Sequence, residues 1–311
     1  MGSNSLVTGE GCLKYLGLLV FQFLGTFVGL LPRTSRTFLA RGLGNLIRVL
    51  GWKTKVVENN LRLCYPNDPS LRKQIFSESY YYFGCLLLEI LTLVGSPRLF
   101  LRRIRKEVTL KGLENWENAR DSGRGVIFLA SHLGNWEIMA AAGAMNGIPS
   151  MIVTKRLKPA WLHDRFEKVR LRCGVEGTYE PKTLKDILKH LKKGGAIAIV
   201  LDQYAGDPIG VRVPFFGQNV GTSKAFEVIV KRTGAIVLPC MNFRTLTGHS
   251  VEIGPPLLEP RSTAEYVRIL EAQIRQNPEQ WLWVHRRFKG DLSFPTKSTE
   301  SLSLASGRDS P

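Results

Sequence analysis

Val126-Ile127-Phe128-Leu129-Ala130-Ser131-His132-Leu133-Gly134-Asn135-Trp136-Glu137 is the stretch on which the fold turns. Its first half is an uninterrupted apolar run with the length and residue types of a strand buried on both faces. The second half stops that strand at a histidine, bends at Gly134 and offers Asn135 as the N-cap of a helix over residues 136–145. A buried strand feeding straight into a helix is one unit of an α/β sheet, and active groups in such sheets collect at the carboxyl ends of strands. His132 sits at such an end. Glu137 lies five residues on, which along one continuous helix is about 140° of azimuth away and out of reach. If the helix begins only after Asn135, Glu137 falls in its first turn and can reach back to one imidazole nitrogen, leaving the other for a substrate hydroxyl. Taken by itself, the pair is also what a capping or core histidine beside a first-turn acid favoured by the helix dipole would look like.

Outward from this stretch the alternation continues. Strands are predicted at 108–110, 151–153, 196–201, 236–243 and 250–253, and helices at 113–119, 159–173, 182–192, 222–232 and from 263. The pattern specifies an α/β domain with a mostly parallel central sheet flanked by helices. Asp202 ends the apolar run 197–201 and so shares the sheet edge with His132. It is either a former of the loop through Gly206 and Gly210 or a polar group facing the same cleft. Pro214-Phe215-Phe216-Gly217 reads either as plain core and turn or, because two adjacent phenylalanines on one strand point to opposite faces, as placing at least one of them in an apolar groove. On the helix begun by Pro159, Arg165, Lys168 and Arg172 share a face, with Arg156 and Lys158 just before it. Such a stripe can clamp a phosphate, since guanidinium binds oxyanions bidentately, although it also reads as a solvated face paired with Asp164 and Glu167.

The chain has 311 residues, 44 % of them hydrophobic, and a formal net charge of +17. That is enough apolar material for a substantial core, and it excludes a disordered protein. The basic excess lies in the body of the chain and attracts phosphate-rich partners, either nucleic acid or anionic lipid. The first half of the sequence favours lipid. Residues 16–31 are apolar apart from Gln22 and small or hydroxyl side chains, and as a helix they span about 24 Å against a hydrocarbon core of about 30 Å. Extended backwards the segment reads as a membrane helix; a buried or interfacial helix is the other reading. Arg33, Arg36, Arg41, Arg48, Lys53, Lys55 and Arg62 follow it against Glu58 alone, which puts that side toward the cytoplasm. Gly25 and Gly29 have the spacing of a helix-dimer motif. The run 83–94, interrupted by Glu89, is too short and polar to span, and the cluster Arg98, Arg102, Arg103, Arg105 and Lys106 after it can add attraction to an anionic surface. No nucleic-acid motif is present, and the aromatics are not interleaved with the basic clusters. Cys12, Cys64, Cys85, Cys173 and Cys240 lack paired spacing, so neither a disulfide framework nor a metal site is indicated, and no glycine pattern calls for a cofactor.

His132-Leu-Gly-Asn-Trp-Glu137 resembles the active-site motif of the bacterial lipid A late acyltransferases, within the glycerolipid acyltransferase superfamily and its His-x4-acid signature. In the order of that family follow Asn59-Asn60-Leu61 with Cys64-Tyr65-Pro66, Leu201-Asp202-Gln203, Val213-Pro-Phe-Phe-Gly217, Thr222 to Ala225, Thr233-Gly234-Ala235 with Pro239, and Pro278-Glu-Gln-Trp-Leu-Trp-Val-His-Arg-Arg-Phe-Lys289. The likeness covers roughly residues 30–289 and departs at Ser223-Lys224, where many members carry small or glycine residues. It implies transfer of a fatty acyl chain from a thioester on acyl carrier protein to a hydroxyl of a lipid A precursor, at the cytoplasmic side of the cell inner membrane. His132 is then the general base, Glu137 holds its tautomer, and Asp202 competes or cooperates with Glu137 in that role. The same resemblance is part of what puts Arg156 and Arg165 first among the candidates for clamping a phosphate. Helix-start amides after Asn135, supported by an arginine, are expected to face the oxyanion. No serine or cysteine elbow suggests an acyl-enzyme. The expected organisation is a membrane anchor over 1–32, a basic helical region over 33–106, an acyltransferase domain over 107–290 and a disordered tail over 291–311. A glycerophospholipid or glycolipid acceptor is the alternative for the same chemistry, and a basic membrane-binding protein with a structural histidine is the non-enzymatic rival.

Overall fold

A computed structural model describes residues 9–289 apart from 149, 181, 182, 258 and 260; the expected tail over 291–311 lies outside the described residues. Five helices precede the first strand: α1 (Gly9–Leu30), α2 (Arg33–Val49), α3 (Thr54–Cys64), α4 (Pro69–Gly95) and α5 (Pro97–Glu107). Strands and helices then alternate as β1 (Val108–Lys111), α6 (Leu113–Asp121), β2 (Val126–Ala130), α7 (Trp136–Met145), β3 (Ser150–Val153), α8 (Ala160–Cys173), β4 (Glu176–Thr178), α9 (Thr183–Lys192) and β5 (Ala196–Val200). A hairpin of β6 (Gly210–Phe215) and β7 (Gln218–Ser223) interrupts the alternation before α10 (Ala225–Thr233), β8 (Ile236–Arg244), β9 (His249–Ile253) and α11 (Thr263–Gln276).

Seven strands form one sheet in the order β1-β9-β8-β2-β5-β3-β4. From β8 to β4 all neighbours run parallel; β9 turns back antiparallel to β8, and β1 lies parallel to β9. The sheet is mostly parallel, as the alternation of elements requires. β2 lies in the middle and is buried along its whole length, which is why its sequence is continuously apolar rather than alternating. Its side chains nonetheless divide between two cores. Ile127 and Leu129 pack with α9, α10 and α11, whereas Val126, Phe128 and Ala130 pack with α5, α6, α7 and α8.

The amino-terminal helices are laid against this domain. Among the described residues no helix is long and apolar enough to cross a membrane, so the expected membrane helix is not found. Instead α1 crosses α4 where Gly25 meets Gly95, a contact so close that a Cβ on either would strike backbone of the other helix. The glycines read as a dimer motif are thus used inside the chain. The opposite side of α1 exposes Leu16, Leu19, Phe23, Phe27 and Leu30, and α2 adds Phe38 and Leu46.

Candidate active site

β2 and β5 are parallel neighbours with Ala130 opposite Val200. The residues two positions beyond each, His132 and Asp202, therefore emerge side by side at the carboxyl end of the sheet. His132 Nδ1 stands 2.8 Å from Asp202 Oδ1, and the backbone N–H of His132 donates to Oδ2 at 2.7 Å. Trp281 Nε1–H donates to the same Oδ2 at 2.7 Å. Burial by itself would raise the Asp202 carboxyl, but the imidazole, the indole and the His132 amide outweigh it and hold the group down at about 2. An ionised Asp202 accepts a proton-bearing Nδ1, so Nε2 carries the lone pair. Gln203 Nε2 lies 3.2 Å from that nitrogen and can donate to it. The geometry fixes the imidazole from behind at Nδ1 and turns Nε2 toward Gln203.

Glu137, expected to hold the histidine, does not touch it. Asn135 caps α7 as the sequence indicates, its Oδ1 accepting from the N–H groups of Glu137 and Ile138 at 2.9 and 3.2 Å. The helix that follows turns the Glu137 side chain toward α8. There its two oxygens take a bidentate pair from Arg170, at 3.0 Å from Nε and 2.6 Å from Nη2, while Nη1 of Arg170 bonds Glu167. Both members are buried, at 6 and 8 % side-chain exposure. Burial would lower the Arg170 pKa, but the two carboxylates raise it above its ordinary value. The neighbouring strand, not the following helix, orients the imidazole. The capping of Glu137 and Ile138 also removes those two amides from the expected oxyanion role.

His132 lies in the wall of a cavity of about 500 Å³ between α7 and the strands β3 and β5. Met139, Ala140, Ile152, Ala198 and Val200 give it an apolar lining, and Glu137, Arg170 and Lys155 add charge. The size falls within the range of small-molecule and lipid-chain pockets. A smaller recess on another side of the imidazole is bounded by Tyr80, Gly134, Trp281 and Trp283. His132 is the residue that both share.

Phe215 and Phe216 do not line the acyl-sized cavity. Both are buried, because Phe216 is not in the strand: with Gly217 it forms a two-residue hairpin turn in which both φ angles are positive, 51° and 74°. Its ring stacks on Trp281 at 6.4 Å while Phe215 meets the same indole edge-on at 5.6 Å. The two phenylalanines buttress the donor that holds Asp202. Arg156 lies over the Tyr179 ring at 5.1 Å, and Arg165 donates from Nε to the Val94 carbonyl at 2.7 Å; neither borders the cavity. The basic groups in its wall are Lys155 and Arg170, which the sequence reading passed over. Arg170 carried a signal, since it falls on the buried stripe of α8 with Phe166, Val169 and Cys173, where an unpaired charge is prohibitive. Behind the site, Asn60 donates to the carbonyls of Trp283 and His285, both at 2.8 Å, and Arg287 donates to those of Gln203 and Gly221. Asn60 thus ties the segment after the short turn Pro278–Gln280 to α3, and Arg287 ties it to the loop bearing Asp202 and to β7.

The sequence profile described as bacterial lipid A biosynthesis acyltransferase matches residues 10–290. The chain belongs to that family. It is therefore an acyltransferase of lipid A biosynthesis, with an acyl donor and a lipid acceptor as its substrates. It is similar to the lipid A biosynthesis palmitoleoyltransferase of Escherichia coli K12, at 29 % identity over 281 residues covering 87 % of this chain and 85 % of the relative. The lauroyltransferase of the same organism is 27 % identical over 264 residues, covering 81 and 84 %. A phosphatidylinositol mannoside acyltransferase of Mycolicibacterium smegmatis is 24 % identical over 209 residues, covering 63 and 67 %.

Proposed function

We propose that this acyltransferase moves a fatty acyl chain from the thioester of acyl carrier protein to a hydroxyl of a lipid A precursor, with His132 as general base. The observation that carries the reading is the Asp202-held imidazole at the wall of an apolar cavity of about 500 Å³. The acyl chain occupies that cavity, and the acceptor hydroxyl displaces the Gln203 amide from Nε2. His132 takes the hydroxyl proton as the alkoxide attacks the thioester carbonyl. Gln203, released from the ring, then donates to the oxyanion in place of the capped amides of α7. Collapse of the tetrahedral intermediate expels the thiolate, which recovers the proton from Nε2. Asp202 stays ionised throughout and stabilises the imidazolium between the two transfers. Glu137 and Arg170, tied to each other, shape the charged end of the cavity.

The exposed apolar sides of α1 and α2 and the basic residues after α1 favour work at an anionic membrane surface, which we place on the cytoplasmic side of the inner membrane. The relative that acts on a mannoside lipid keeps a glycolipid acceptor as the second reading. One experiment covers both. Membranes containing the full chain are incubated with acyl carrier protein thioesters and either lipid A precursor or a mannosylated phosphoinositide, and the products are weighed by mass spectrometry. The expected spectrum shows a single acyl addition to the lipid A precursor, lost in His132→Ala. Addition to the mannoside alone moves the assignment to the second reading, and turnover surviving in His132→Ala overturns the mechanism.

A further inference from the structure

Away from the acyl cavity, a second cavity of about 440 Å³ opens between α2, α4, α5 and the β8–β9 hairpin. Arg33, Arg36, Arg103 and Arg244 line it. We propose that this cavity binds a phosphate-class anion, carried by the headgroup of the lipid acceptor.

The placement of the arginines runs against what stability alone favours. Arg33 and Arg36 occupy the first turn of α2, which has no acidic residue and no side-chain cap. Cations at a helix amino terminus oppose its dipole, whereas a bound anion is favoured there. Arg103 stands close enough that burial and then the charge of Arg36 push its pKa down to about 10. Such crowding of like charge is relieved by an anion between them. The carboxylates nearby are largely committed: Glu107 pairs with Arg36 at 2.8 Å, and Glu89 with Arg244 at 2.6 Å and His249 at 2.9 Å. Arg33 donates to the Thr245 carbonyl, and Arg103 to the carbonyls of Val28, Gly29 and Leu31. These bonds leave both cations facing neutral oxygens, and each of them uses only one nitrogen of a five-donor guanidinium. The Nε of Arg36 is buried with no partner among the described residues. Glu89, Glu107 and Glu279 also line the cavity, so four guanidiniums stand against three carboxylates and the wall keeps a single net positive charge. Arg33 and Arg103, bonded to carbonyls rather than to carboxylates, keep forked donors that suit a phosphate.

Position connects the cavity to catalysis. Tyr82 and Gln280 line both it and the recess beside His132. Glu89, in its wall, accepts from Asn135 Nδ2 at 2.9 Å, so the anion site abuts the loop that carries the base. None of its lining residues is shared with the acyl cavity. A headgroup held by the arginines and an acyl chain held between α7 and β5 would thus meet at the imidazole from separate compartments.

The acceptor assignment rests on the proposed function, whereas the anion site does not, and the test separates them. Full-length protein in detergent is titrated calorimetrically with inorganic pyrophosphate. Acyl transfer is then compared on lipid A precursor before and after phosphatase treatment, for wild type, Arg33→Gln, Arg36→Gln and the charge-retaining Arg36→Lys. The expected result is a preference for the phosphorylated acceptor in kcat/KM that falls about tenfold in the two glutamine variants, on the scale of a lost charge-assisted hydrogen bond. That fall is carried by acceptor KM, and Arg36→Lys recovers part of it. Pyrophosphate that binds wild type and is lost from the glutamine variants supports the site even if lipid A precursor is not acylated, in which case only the functional reading fails. Preference without pyrophosphate binding assigns the anion to the lipid headgroup alone. Equal kcat/KM on both acceptors together with no pyrophosphate binding overturns the proposal.

Discussion

The carboxylate of Asp202 holds the imidazole of His132 from the adjacent parallel strand, Oδ1 standing 2.8 Å from Nδ1. Asp202→Asn replaces an obligate acceptor with a group that can present N–H to Nδ1, which favours the tautomer with its lone pair on the wrong nitrogen. The expected loss in kcat is about three to four orders of magnitude, the scale seen when a Ser-His-Asp triad loses its carboxylate, with KM little changed. The acid stability of the protein carries the same signature. The Asp202 pKa is about 2 in the fold against an ordinary 3.8, so the ionised group stabilises the fold above the higher value. That contribution drains away as pH falls from 3.8 through about 2. Thermal melts followed across that window are expected to be shallower in pH for Asp202→Asn than for wild type.

Trp281→Phe removes the indole donor to Asp202 Oδ2 while keeping an aromatic ring between Phe215 and Phe216. A hydrogen bond to a buried charged group is worth about 1.5–3 kcal/mol. Denaturant titration is expected to show a loss of that order, and kcat falls with it because the carboxylate that sets the tautomer is less firmly held. A variant as stable as wild type would show that the indole only fills space.

What the sequence disclosed follows the range of the interactions. The strand over 126–130 and the helix Trp136–Met145 were legible because burial pattern and an Asn135 cap act within a few residues. His132 and Asp202 were both legible as strand ends. Their pairing stayed open against Glu137, because the choice depends on β5 lying directly beside β2 in the sheet, although β3 and β4 separate the two in the chain. Glu137 looked closer in sequence, yet a first-turn side chain on α7 points at α8 rather than back over the strand end. Over residues 214–217, core-and-turn and groove lining stayed open for a local reason: the turn of the β6–β7 hairpin places Phe216 at positive φ, where glycine or asparagine is the usual signal.

The Glu137–Arg170 pair is predicted to behave as a buried ion pair. Removing one partner leaves an uncompensated charge and costs about 3–5 kcal/mol, whereas removing both in favour of apolar side chains costs far less. Glu137→Leu and Arg170→Met are each expected to lower the denaturation midpoint sharply, and the double variant to regain most of the loss. Additive single effects in that double-mutant cycle would show that the two charges are not coupled.

Gly134→Ala tests the bend that lets the strand end at a histidine. Gly134 has φ of 64°, and a Cβ there would press into the Asn242 carbonyl. Its N–H also donates to the Gln280 carbonyl at 3.0 Å, so displacing the loop disturbs the segment carrying Trp281. Strain of about 1–3 kcal/mol is expected in stability, with a larger proportional fall in activity as His132 moves from Asp202. Activity retained at the wild-type level would mean that the loop tolerates rearrangement.

The apolar side of α1 supplies a test of membrane association that leaves the fold alone. Leu19, Phe23 and Phe27 follow one another at helical spacing of four and are 61, 72 and 51 % exposed. Each large apolar side chain taken out of water contributes about 1.5–3 kcal/mol, so three together make a strong surface anchor and add little to a fold they do not pack against. The triple substitution Leu19→Ser, Phe23→Ser and Phe27→Ser is expected to abolish co-sedimentation with anionic vesicles at unchanged thermal midpoint. Because Gly25 and Gly29 hold the other side of α1 against α4 and α5, the helix stays docked and thioester turnover with a detergent-dispersed acceptor is retained. Vesicle binding equal to wild type would move the membrane contact away from this helix.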